Sequence, residues 1–112
     1  MAIVIINKEL ENAIDKKFKG ESVKVFSLLH SLEENPHKGK SVGNIGGILI
    51  KELKYNKFRF YFILEGDKLK IFSKEELTNL LIKFVRMSDK NNQQKVIDEI
   101  KDFLRNIDKK IG

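Results

Sequence analysis

The spacing of apolar residues divides the chain into short segments of different period. Ile3-Val4-Ile5-Ile6 is a β-branched run, which predicts a short strand covered on at least one face. Asn7 behind it is a residue that caps helices. Across Lys8–Phe18 the apolar residues Leu10, Ala13, Ile14 and Phe18 recur three and four apart, one stripe of an amphipathic helix that Gly20 ends. Glu21 or Ser22 opens a second helix, with Val23, Phe26, Leu29 and Leu32 at helical spacing. Asn35-Pro36 stops it, because the residue before a proline avoids the α region. The stretch Pro36–Gly47, rich in glycine and lysine, reads as a connecting loop.

From Ile48 the period becomes two. Ile48–Tyr55 and Phe58–Leu64 are predicted strands joined by a tight turn at Asn56-Lys57. On the second strand Phe58, Phe60, Phe62 and Leu64 point one way and Arg59, Tyr61 and Ile63 the other. The phenylalanine face is expected to pack on the helix pair, which leaves the Arg59/Tyr61 face as the open side of the sheet. Glu65-Gly66-Asp67 is a turn and Leu69–Phe72 a short strand. Ser73–Leu77 reads as a helix start or a turn. Leu80–Met87, apolar but for Lys83 and Arg86, reads as a central strand. Asn91–Lys109 is a helix whose stripe is Val96, Ile97, Ile100, Phe103, Leu104 and Ile107. This order predicts one α+β domain over residues 1–112, with helices on one side of an antiparallel sheet and a C-terminal helix.

Composition narrows the class. The 112 residues are 41% hydrophobic and 34% charged, as in a globular domain. The net charge is +6, a field that attracts nucleic acid, acidic proteins or anionic membrane. With no cysteine, thiolate chemistry, disulfides and cysteine zinc sites are excluded. No apolar run approaches the roughly 20 residues of a membrane helix, and the short apolar start does not make a signal peptide. A cytoplasmic protein without membrane association is expected. Gly39-Lys40-Ser41 is not a P-loop, since Glu34 stands where the first glycine belongs.

Four local patterns, in order, resemble the RelE/ParE superfamily of toxins, in the branch around HigB and the phage Gp49-like proteins. Leu32-Glu33-Glu34-Asn35-Pro36 with Gly39-Lys40 resembles the family's passage out of its second helix. Glu52-Leu53-Lys54 resembles its Glu-Leu-Arg strand, with lysine for arginine. Phe58-Arg59-Phe60-Tyr61-Phe62 resembles its Tyr-Arg strand, and Phe84-Val85-Arg86 with Glu99-Ile100 its closing segment. The resemblance spans nearly the whole chain, with Ser73–Asn79 as an insertion.

The resemblance implies the toxin of a type II toxin–antitoxin pair, an endoribonuclease that cuts mRNA, often on the ribosome. It implies a cognate acidic antitoxin as partner, RNA as substrate and neither cofactor nor metal. A homodimer through the C-terminal helix is open. Arg59, Arg86 and Lys54 match the family's basic site positions and are the catalytic candidates, each suited to holding a phosphate. Lys51, Tyr61, Lys83 and Lys90 are RNA-binding candidates, with Tyr61 offering a ring for stacking. Glu52 is a candidate base or an ordinary ion-pair partner. Many active members carry a terminal Tyr or His, and Met87–Gln94 has neither; His30 and His37 are the only histidines. Two further readings stay open: a non-catalytic RNA- or ribosome-binding domain of the same fold, and an interaction protein whose charge serves solubility.

Overall fold

A computed structural model describes residues 2–111, with side chains described as far as Arg105. The order is β1 (Ile3–Ile6), α1 (Lys8–Phe18), a 3-10 turn (Lys19–Glu21), α2 (Ser22–His30) and a second 3-10 turn (Ser31–Glu33). There follow β2 (Lys40–Ile45), β3 (Ile48–Tyr55), β4 (Phe58–Glu65), β5 (Lys68–Phe72), α3 (Lys74–Met87) and α4 (Lys90–Ile111). The strands form one sheet in the order β1-β5-β4-β3-β2. β2 to β5 are an antiparallel meander, and β1 runs parallel to β5 at the far edge. The outer edge of β1 is not bare, since the Val4 N–H donates to the Glu33 carboxylate at 3.4 Å.

The fold is α+β, but helices cover both faces of the sheet rather than one. On the first face Leu10 and Ile14 of α1 and Val25 and Leu29 of α2, with Leu32 beyond it, pack on Val4, Leu53, Phe60, Phe62, Leu69 and Ile71. On the second, Leu77 and Leu81 of α3 and Val96 and Phe103 of α4 pack on Val42, Ile45, Ile50, Tyr61 and Ile63. The face predicted to be open is therefore a second core. A strand with apolar residues on both sides demands cover on both sides, and β4 is such a strand.

The cover comes from a segment expected to be a strand. Leu80–Met87 lies within α3. Read at a period of 3.6, its apolar residues form one stripe with Leu77: Leu80, Leu81, Phe84 and Val85 join the second core, while Ile82, Lys83, Arg86 and Met87 face out. The helix starts where Ser73 and Glu76 form a capping box. Ser73 Oγ accepts from the Glu76 N–H at 3.2 Å, and Glu76 Oε1 accepts from the Ser73 N–H at 3.1 Å. Glu76 also accepts from Asn7 Nδ2. Asn7 in turn caps α1, its Oδ1 accepting from the Leu10 N–H at 2.7 Å. The starts of α1 and α3 are thus tied together.

The expected loop Pro36–Gly47 contains the fifth strand, β2, and the Gly46-Gly47 turn into β3. Two glycines are needed there. Gly39 has φ +99°, and a Cβ on it would stand 2.8 Å from the Glu52 carbonyl oxygen. A Cβ on Gly43 would stand 2.6 Å from the Phe103 ring, so α4 can lie on β2 only because Gly43 has none. Smaller departures follow burial. Val25 replaces Val23 on the inner stripe of α2, Val23 being 71% exposed, and Ala13 and Leu64 face solvent. In α4, Val96 and Phe103 are buried and Ile97, Ile100 and Leu104 half-buried, while the Ile107 side chain lies outside the described residues.

Adjacent positions of α3 test this arrangement. Leu81→Ala is expected to cost about 2–5 kcal/mol, as a core deletion does. Ile82→Ala should stay within about 0.5–1 kcal/mol, as at the surface. Urea unfolding of the two variants measures both, and equal losses would contradict the helix.

Candidate functional site

The two helical layers leave one end of the sheet's second face uncovered. Register identifies what is there. Arg59 lies opposite Lys54, and Glu52 lies between Tyr61 and Lys40 on its two neighbouring strands. Directly opposed residues share a face, so Lys40, Glu52, Lys54 and Arg59 all project beside Tyr61, on the side of α3 and α4. Past the reach of those helices they line an open hollow of about 480 Å³ together with Gly39 and Leu53. Gly39 helps to make it: its close approach to the Glu52 backbone brings Lys40 to the rim.

Glu52 is at the centre. It is the one buried charged residue among those described, 7% exposed. Its Oε2 stands 3.7 Å from Arg59 Nη1, an ion pair longer than a hydrogen bond. The Arg59 side chain is 13% exposed, so the guanidinium sits in the wall and only part of it reaches solvent. Lys40 and Lys54 are exposed on the rim. Three cations and one carboxylate therefore line the same hollow, which is net positive, with Glu52 paired to Arg59. Such a hollow can hold a phosphate by charge, and its floor offers an acceptor for a proton.

The residues singled out from sequence do not form one site. Arg59 and Lys54 share the hollow. Lys51 is on the opposite face: it lies across from Phe62, its Nζ is 5.8 Å from the Phe62 ring centre, and it donates to the His37 carbonyl at 3.0 Å. Tyr61 is 1% exposed and packs edge-on against Phe103, ring centres 6.2 Å apart. It is a core residue and offers no stacking face. Lys83 and Arg86 are exposed on α3 and Lys90 on α4. Their corner lies by the β2–β3 turn, for Met87 and Ser88 line one hollow with Gly46 and Gly47. That turn is at the opposite end of the strands from Lys40 and Lys54, so Arg86 is not brought to Arg59. In the last turn of α3, Arg86 complements the helix dipole. Neither histidine lines the basic hollow; His30 is exposed beside Glu33, 3.5 Å away. Among the described residues no three His, Asp or Glu side chains are grouped to hold a metal ion.

Sequence reasoning missed Lys40, because β2 was expected to be a loop. The signal was present in Ser41-Val42-Gly43-Asn44-Ile45, where Val42 and Ile45 are both buried. A bulge between Ser41 and Gly43 breaks the alternation that would have marked it as a strand.

The pairing predicts unequal stability effects on one wall of the hollow. Arg59→Ala strips the nearest cation from a buried carboxylate and should cost about 3 kcal/mol. Lys54→Ala, on the rim, should stay within about 0.5 kcal/mol. Urea midpoints decide, and equal midpoints would show that the ion pair does not anchor the site.

Compared with protein-family models, curated proteins and solved structures, the chain matches none.

Proposed function

We propose that this protein is the toxin of a toxin–antitoxin pair, of RelE/HigB kind, and that it acts on mRNA as an endoribonuclease through the Lys40–Lys54–Arg59 hollow. The observation that carries the reading is the placing of Glu52 among three cations in one open concavity. Cleavage of RNA asks for such a set. The 2′-hydroxyl must give up a proton as its oxygen attacks the adjacent phosphorus, and Glu52 is the carboxylate that takes it. Charge gathers on the phosphate oxygens, and the guanidinium and two ammonium groups stabilise it. The departing 5′-oxygen takes a proton from solvent or from a lysine of the rim. The four patterns that resemble the family support the same reading, and so does the order of a strand, a helix pair and an antiparallel run of strands.

The same reading names the setting. A protein acting on mRNA, with the ribosome as its platform, works in the cytoplasm. Among the described residues no helix is long and apolar enough to cross a membrane. An acidic antitoxin segment laid over the hollow would neutralise Lys40 and Lys54 and shut out the phosphate. A second reading, a non-catalytic RNA-binding domain, draws on a different observation: no histidine or tyrosine lines the hollow to serve as acid.

Expression in a bacterial host, with mapping of mRNA ends, separates the two. The parent should arrest growth and generate new 5′ ends. Lys40→Ala/Lys54→Ala should lose both effects. Glu52→Gln should lower cleavage by about 10²-fold, the scale of a general base, while RNA binding persists. Arrest without new ends favours the binder, and no arrest with no RNA bound contradicts both. Binding measured against salt gives a further check: the three cations of the hollow should together contribute about −2 to the slope of log affinity against log salt for single strands. Lys54→Ala should make that slope shallower by about 0.7.

A further inference from the structure

The tip of the β3–β4 hairpin carries a feature that the hollow does not use. Tyr55 and Phe58 face each other across the strands, on the α1 side of the sheet. The Phe18 ring of α1 stands edge-on to both, with centres 5.4 and 5.5 Å apart and planes at 90° and 89°. All three rings are half-buried. The turn beyond them is only Asn56-Lys57, with Asn56 at φ +52°, so no loop folds back over the aromatic group. Lys17 and Lys57 stand at its rim, and Lys17 Nζ lies 4.4 Å from the Phe58 ring centre. Together these residues line an open hollow of about 640 Å³ without a carboxylate.

Flat rings flanked by ammonium groups fit a ligand that is both aromatic and anionic. We propose that the hairpin tip is a stacking platform for an unpaired base of single-stranded RNA, with Tyr55 as the ring that receives the base and Lys17 and Lys57 as contacts to the flanking phosphates. The inference rests on the RNA reading above and extends it to the form of the substrate. Lys54 precedes Tyr55 and Arg59 follows Phe58, so a strand rounding the hairpin tip passes from the platform to the basic hollow. Its direction is set by charge. The groove on the other side of Lys17 is lined by Glu9, Glu75 and Glu76, which repel phosphates. Duplex RNA hides the faces of its bases in the stack, so only a single strand can use both places.

The test compares two oligomers by fluorescence titration at fixed salt: a short single-stranded RNA bearing 2-aminopurine, and a ribose-phosphate oligomer of equal length without bases. The parent should bind the first about tenfold more tightly, the scale of one base–aromatic stack, and quench its fluorescence. Tyr55→Phe should preserve both effects. Tyr55→Leu should bind the two oligomers alike and leave the fluorophore bright. Equal binding of both oligomers by the parent, or full quenching by Tyr55→Leu, would overturn the platform. Lys40→Ala/Lys54→Ala separates the two ideas, because it should weaken both oligomers equally. Binding that depends on Tyr55 but ignores Lys40 and Lys54 would overturn the basic hollow and sustain the platform. A parent that binds neither oligomer overturns both.

Discussion

Phe60, Tyr61, Phe62 and Ile63 are consecutive on β4, and all four are buried. Side chains alternate across a strand, so their burial requires an apolar layer on each face of the sheet. The layers come from different parts of the chain. α1 and α2 supply the first, and α3 and α4 the second. Each of these side chains contributes about 1.5–3 kcal/mol when buried rather than exposed, which favours a central, doubly covered place for β4. The remaining strands take their places around it.

The position of the site follows from this double cover. Helices occupy the second face over Tyr61 and Ile63, and the hairpin runs on beyond them. What emerges at that end is Arg59 and Lys54, with Glu52 at the boundary between core and solvent. A carboxylate there needs a cation close by, and Arg59 at 3.7 Å supplies it. The ion pair therefore belongs to the fold as much as to the hollow. Lys40 and Lys54, exposed and free of packing duties, are the residues through which charge at the site can vary without disturbing the core.

Much of this was legible in the sequence, and the parts that were not have physical causes. α1 was readable from Asn7 to Phe18 because cap and stripe agree, although its end falls on Lys19, φ +48°, one residue before the glycine expected to stop it. The β3–β4 hairpin was readable from its alternation and its turn. α3 was not, because Leu80–Met87 is apolar enough to satisfy both periods, and only the capping box at Ser73 and Glu76 separates them. Reading it as a strand removed the helix that covers the Arg59/Tyr61 face, whereas Arg86 was grouped with Arg59 by the resemblance and not by any period. The carboxylate and two of the cations of the site were visible as residues. Their convergence depends on the register of β2 to β4, and a bulge at Ser41/Gly43 hid the third cation.

Two basic regions compete for RNA: the hollow of Lys40, Lys54 and Arg59, and the corner of Lys83, Arg86 and Lys90 at the other end of the sheet. Photo-crosslinking of the full chain to a single-stranded RNA, with the attached residues identified by mass spectrometry, decides between them directly. Crosslinks at Lys40, Lys54 and their strand neighbours, suppressed by a phosphate-rich competitor, are the predicted result. Crosslinks confined to the Lys83–Lys90 corner, with none on β2 to β4, would contradict it.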